Sequence, residues 1–302
     1  MNLRARLQRL LEIPLIGLAY AAVVAWMDDK ASSLGAALAF YTMFSLAPLL
    51  LIAVSLAGLV FGAEAARGEI VSQLNGLVGP SSAATIETML ASLDWPAGGV
   101  AGTLLGLGIM VVGATTVFAE LQNALDRIWE APPVAETGGL WRLARTRVLS
   151  FGLVLGLGFL LIVSLVFSAA MAALARWWTP VLREWQFLLG LLNIGVSFCL
   201  LLLMFAMIYK LMPRVRIAWA DVWIGALVTA TLFTLGRSLI SLYLGHSAVA
   251  SGFGAASSLV VLLVWVYYSA QIFLLGAEFT WVYAHRYGSL RARPGGPDHK
   301  PA

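Results

Sequence analysis

Charge is scarce in this chain. Asp, Glu, Lys and Arg together make up 11% of 302 residues, against about 25% in soluble domains. Hydrophobic residues reach 61% and mean hydropathy is +0.89. No soluble fold of this length can hide so much apolar surface, so the class is a polytopic membrane protein. Cysteine is scarcer still. Cys199 is the sole example, which excludes an intrachain disulfide and any cysteine-based zinc or iron–sulfur site. It sits in an apolar run and reads as a small packing residue. The three histidines, His246, His285 and His299, stand apart from one another. No H-E-x-x-H, G-x-S-x-G or P-loop pattern occurs. The sequence therefore predicts no catalytic residue, no metal, no cofactor and no enzyme. The net charge of +4 is explained by loop placement rather than by nucleic acid.

What is present is a series of long apolar runs. A helix needs about 20 apolar residues to cross the hydrocarbon core. Six runs qualify: Leu34–Phe61, Val100–Glu120, Val148–Ala175, Phe187–Met212, Ala218–Leu244 and Leu259–Tyr283. The 11 Trp suit a chain with many membrane–water boundaries. Lys and Arg set the orientation. Fifteen of the 19 fall before span one, between spans two and three, between spans four and five, or after span six. Arg67, Arg176 and Arg183 lie on the other side, and Arg237 lies within span five. The positive-inside rule then places both termini in the cytoplasm.

The expected fold is all-α, with six transmembrane helices. Residues 1–33 form an N-terminal interfacial segment. In it, "LRARLQRLL" has the look of a basic amphipathic surface helix, and Ile13–Met27 lies in the inner interface or inserts. Residues 34–287 form the transmembrane domain, and 288–302 a disordered cytoplasmic tail. The outer loop 62–99 carries apolar residues at helical spacing on both sides of "GPSS". That predicts two short helices, serving as a cap or a gate. The helix of span two runs on through "VFAELQNALDRIWEAPP", with Pro132 and Pro133 expected to end it.

Polar residues inside the spans are the functional candidates, because ionisable groups at membrane depth usually face the bundle interior. Tyr267, Gln271 and Glu278 share a face of span six. Thr234, Arg237 and Ser241 form a stripe on span five, and Thr116, Glu120, Asn123 and Arg127 one on span two. On span one, Tyr41 and Ser45 align with Pro48, which is expected to kink the helix. A polar interior groove is the expected result. Glu278 lies roughly 8 Å from the inner end and Arg237 roughly 10 Å from the outer end at 1.5 Å per residue. They are therefore expected in separate sites, with Lys210 as the partner of Glu278. Glu278, Gln271, Glu120 and Lys210 read as a charge relay or as structural ion pairs. Arg237, with Thr234, Ser241, Tyr41 and Ser45, reads as substrate-binding or as a structural cation.

Several motifs carry a family resemblance. "AALAFYTMFSLAPLLL", "ELQNALDRIWE", "GALVTATLFTLGRSLISLY" and "LLVWVYYSAQIFLLGAEFTW" occur in order from Ala36 to about Tyr283. Together they resemble the YihY/virulence factor BrkB family, whose usual Asn in the second motif is Asp126 here. The resemblance implies six helices in the bacterial inner membrane. Members have carried the label ribonuclease BN, which these residues do not support. It also implies loose associations with virulence and with lipid or envelope-precursor transport. Two functions follow as expectations. One is a transporter or lipid flippase that takes an anionic amphiphilic substrate from among the membrane lipids. The other is a non-transporting scaffold that docks partners through Leu121–Trp129 and the outer helices of the 62–99 loop.

Overall fold

The computed structural model describes residues 14–62, 116–132, 186–246 and 257–291, with scattered positions between 64 and 88. Its elements are α1 (Pro14–Asp28), α2 (Ala31–Phe61), α3 (116–128), α4 (Gln186–Leu211), α5 (Trp219–His246) and α6 (Ser257–Arg286). The described residues contain helices and no strand. Spans expected at Leu34–Phe61, Phe187–Met212, Ala218–Leu244 and Leu259–Tyr283 appear as α2, α4, α5 and α6. Of these, α4, α5 and α6 are long and apolar enough to cross a membrane. At about 1.5 Å per residue, the 31 residues of α2 also exceed the hydrocarbon thickness. The span expected at Val148–Ala175, all but the end of Val100–Glu120, residues 1–13 and the tail from 292 lie outside the described residues.

The centre of the bundle is α6, which packs against α5, α2 and α1, while α4 packs against α5. Glycine decides how close α5 and α6 come. A Cβ on Gly225 would sit 1.8 Å from Thr280 Oγ1, and one on Gly276 would sit 1.9 Å from Thr229 Oγ1. Each threonine lies four residues beyond the glycine of its own helix, in the pattern G-x-x-x-T, and packs on the glycine of the other. The Thr229 hydroxyl donates to the Gly225 carbonyl at 2.8 Å, and Thr280 to that of Gly276 at 2.7 Å. No donor is left over at this dry interface, where small residues let the backbones approach. Tyr209 of α4 completes it by donating to the Phe273 carbonyl at 2.7 Å and lying 3.0 Å from the Thr229 hydroxyl.

The contact with α2 uses the same device. A Cβ on Gly35 would meet Gln271 Nε2 at 2.0 Å. Nearer the other end, Ile86 is buried against Leu262, among Met43, Leu46, Leu50 and Trp265. The described positions of the 62–99 segment beyond Gly62 are helical, and at Ile86 it is wedged against α2 and α6. Helix α2 stays helical through Pro48.

Three local features stand out. First, α1 is apolar on both faces, while the amphipathic stretch "LRARLQRLL" lies outside the described residues. Leu18 and Ala22 pack on Phe279 and Val282, yet Ile16, Tyr20, Val23, Val24 and Met27 are exposed. Such a helix suits lipid on its free side. Second, α3 ends before Pro132. Glu130 takes the left-handed conformation at φ 48°, with Ala131 N donating to Asp126 O at 2.8 Å and Glu130 N to Arg127 O at 3.1 Å. This is the Schellman closure, here without the usual glycine. Third, the apolar face of this extension is not free. Ala124, Leu125, Ile128 and Trp129 are buried in the main core with Phe205, Tyr209, Met212 and Ile217. A scaffold has no docking surface there.

Gly276→Ala tests the α5–α6 contact. Thr229 is fixed by its own hydrogen bond, so the added methyl cannot be absorbed locally. The variant should lose about 1–3 kcal/mol, seen as a lower thermal midpoint in detergent. An unchanged midpoint would refute the close approach.

Candidate functional site

The rotation of α6 sets the site. Gly276 and Thr280 face α5, and Glu278, two residues from each, is turned by roughly 200° at 3.6 residues per turn. It therefore faces the α1–α2 turn. Seven residues earlier, on nearly the same face, Gln271 meets α2, its Nε2 lying 3.4 Å from the Ser32 carbonyl.

Glu278 is 1% exposed, and its Oε1 has no hydrogen-bond partner. It borders a cavity of about 540 Å³. The wall of α1 and its turn supplies Tyr20, Ala21, Val24, Ala25, Asp28 and Asp29. The end of α3 supplies Ile128 and Glu130, and α6 adds Trp281, Val282, His285 and Arg286. The charged groups acting on Glu278 are themselves acids: Asp29, within hydrogen-bonding reach, then Asp28 and Glu130. Glu130 of the lining, at φ 48°, and Lys30, next in the chain to Asp29, at φ 54°, are held in the left-handed region. Each such non-glycine residue costs about 1–3 kcal/mol, and such strain clusters at functional sites.

Positive charge near this cluster is sparse. Arg127 reaches Asp29 at 3.9 Å, with both side chains partly exposed. His285 is exposed, and its Nδ1 is 2.9 Å from the Trp281 carbonyl. Arg286 is exposed, and among the described residues it pairs with none of the four acids. Lys210, expected to pair with Glu278, does not. Its ammonium donates to the Ile217 carbonyl and lies 5.4 Å from the Trp219 ring centroid. The α4–α5 linker curls back over the end of α4 and takes up that charge.

The other predicted residues do not converge on one groove among the described residues. Arg237 is exposed on α5. Thr234 is half-buried, and its hydroxyl donates back to the Ala230 carbonyl at 2.7 Å. The Ser241 side chain lies outside the described residues, as does that of Pro48. Ser45 is buried and Tyr41 exposed. Glu120 is half-buried on α3 and does not line the cavity. The structure brings Glu278 together instead with Asp28, Asp29 and Glu130, which sequence reasoning did not select. Their signal was slight: two adjacent acids in "AWMDDK", directly after an apolar run, and one acid before a Pro pair. No group of three His, Cys, Asp or Glu is close enough to hold a metal ion among the described residues.

A second polar cluster secures the frame. Asp126 accepts the Arg214 backbone N–H at 2.8 Å and faces Arg214 Nε at 3.2 Å. Gln122 Nε2 donates to the Met212 carbonyl at 3.0 Å. Asp221 Oδ2 accepts the Ser289 N–H at 3.1 Å and the Ser289 hydroxyl at 2.6 Å, which fixes the end of α6. These contacts explain Asp126 as a clasp for the α4–α5 linker. Burial raises the Asp126 carboxyl above its ordinary 3.8, against the lowering effects of the Arg214 N–H and guanidinium. The folded chain then holds this proton more tightly than the unfolded chain. Its contribution to stability is complete at low pH and is lost as pH rises through the raised value. Asp126→Asn should remove that slope. As pH rises above the ordinary value of 3.8, the thermal midpoint of the variant should climb relative to wild type. Parallel curves would contradict the assignment.

The chain can now be set beside known proteins. Residues 22–300 match the profile of the family described as Virulence factor BrkB. A UPF0761 membrane protein of Pseudoalteromonas translucida is 30% identical over 259 residues, covering 84% of this chain and 81% of that protein. One of Psychromonas ingrahamii is 27% identical, covering 80% and 79%. One of Pseudomonas paraeruginosa is 26% identical over 83% of this chain, which spans only 59% of that longer relative. No solved structure matches. The profile match over nearly the whole chain and the long relatives agree: this membrane protein belongs to the Virulence factor BrkB family.

Proposed function

We propose that this protein is a transporter of the bacterial inner membrane, with six spans, both termini in the cytoplasm and the Glu278 cavity as its inner-side binding site. One observation carries the reading. Glu278 is buried, has an oxygen without a partner, and faces a cavity large enough for a small solute. A buried carboxyl kept only for structure normally faces a cation, whereas the charged neighbours of Glu278 are the acids Asp29, Asp28 and Glu130. The orientation follows from the distribution of Lys and Arg.

Arg237 belongs to a separate place of opposite sign. Exposed on α5, it is the candidate anchor for an anionic headgroup if the cargo is a lipid or an envelope precursor. The scaffold reading loses its main support, because the apolar face of Leu121–Trp129 is used inside the molecule.

The test uses purified protein in liposomes, with translocation of a fluorescent phospholipid and uptake of charged solutes as readouts. Glu278→Gln should cut transport at least about tenfold, with a thermal midpoint unchanged or raised, because the amide can still donate to Asp29 and one acid is removed from a cluster of like groups. Arg237→Ala should selectively impair the lipid assay. Transport by Glu278→Gln at the wild-type rate would overturn the reading. So would a lowered midpoint in that variant without any transport by the wild type, the result expected of a scaffold.

A further inference from the structure

We propose that the Glu278 cavity binds an organic cation carrying two or more ammonium groups, of the aliphatic polyamine class. This deepens the transport reading by naming a ligand class, and it rests on that reading only for the ligand being carried rather than merely bound.

The geometry supports the choice of ligand in three steps. The first is charge. Glu278, Asp29, Asp28 and Glu130 border one cavity, and among the described residues the only ion pair on any of them is Arg127–Asp29 at 3.9 Å. An anion is repelled from such a wall. The buried Glu278, with an unpartnered oxygen at that wall, is the group that calls for a positively charged or hydrogen-bond-donating ligand.

The second step is spacing. A single metal ion needs its ligands gathered within a few ångströms of one point. The acids here are spread around about 540 Å³, and no three His, Cys, Asp or Glu meet a metal's requirement among the described residues. A chain of ammonium groups separated by methylenes can reach acids that one ion cannot. Each ammonium brings three donors to acceptor-only carboxylates.

The third step is the remaining wall. Tyr20 and Trp281 present aromatic rings, and Ala21, Val24, Ala25 and Val282 present apolar surface. Ammonium groups are attracted to aromatic faces, and methylenes suit the apolar lining. A strongly hydrated inorganic cation gains nothing from either. Arg286 also lines the cavity, but it is exposed, so its charge is screened by water.

The experiment is a calorimetric titration of spermidine into the full-length protein in nanodiscs of neutral lipid. Saturable binding is expected, weakened at least about tenfold in both Glu278→Gln and Asp29→Asn. Asp29→Asn lies at the partly exposed turn and keeps the test valid should the buried substitution fail to fold. Magnesium at equal charge should compete poorly. No spermidine binding by the wild type would overturn the inference. So would equal binding by the folded variants, which would mean surface charge only, or tighter magnesium binding that depends on the same two residues. Binding without spermidine uptake into liposomes would uphold the ligand class and refute transport of it. Lipid translocation without spermidine binding would do the reverse.

Discussion

The contact between α5 and α6 governs everything that follows. Gly225 lies under Thr280 and Gly276 under Thr229, and both hydroxyls are satisfied within their own helices. Without a hydrophobic driving force between helices in lipid, such close packing is what holds them together. It also fixes the rotation of α6. With Gly276 and Thr280 committed to α5, Glu278 cannot face α5 as well. It is turned toward α1 and the acids of its turn. A structural contact on one side of the helix thereby creates an electrostatic demand on the other.

The clasps at these helix ends serve the same arrangement. Asp221 holds Ser289 beyond the end of α6, and Asp126 holds the linker at Arg214. The linker in turn takes Lys210 through the Ile217 carbonyl. Lys210 is thus diverted from Glu278, and the cavity keeps its negative character. Two left-handed non-glycine residues, Lys30 and Glu130, mark where the chain bends sharply around it.

Much of this was legible in the sequence. Hydropathy located α2, α4, α5 and α6 within a few residues, since the pattern is local and strong. The i, i+4, i+11 spacing placed Gln271 and Glu278 on one face, and both do point away from α5. The pairing of Lys210 was misread because a backbone carbonyl of the linker, that of Ile217, leaves no mark in side-chain chemistry. Asp28, Asp29 and Glu130 were missed for a related reason. They come from two turns about 100 residues apart in sequence, and only tertiary packing brings them to Glu278. The end of α3 was assigned to Pro132, whereas a Schellman closure at Glu130 ends it earlier. A left-handed Glu has no sequence signature comparable to glycine's.

The central claim is that Glu278 faces Asp29 across an acidic cavity rather than Lys210 across the bundle. Paired cysteines measure this directly. In a background with Cys199 replaced by Ser, Asp29→Cys with Glu278→Cys and Lys210→Cys with Glu278→Cys are each treated with a short bifunctional thiol reagent in membranes. The account predicts efficient intramolecular crosslinking of the 29–278 pair and little of the 210–278 pair. The reverse pattern would contradict it.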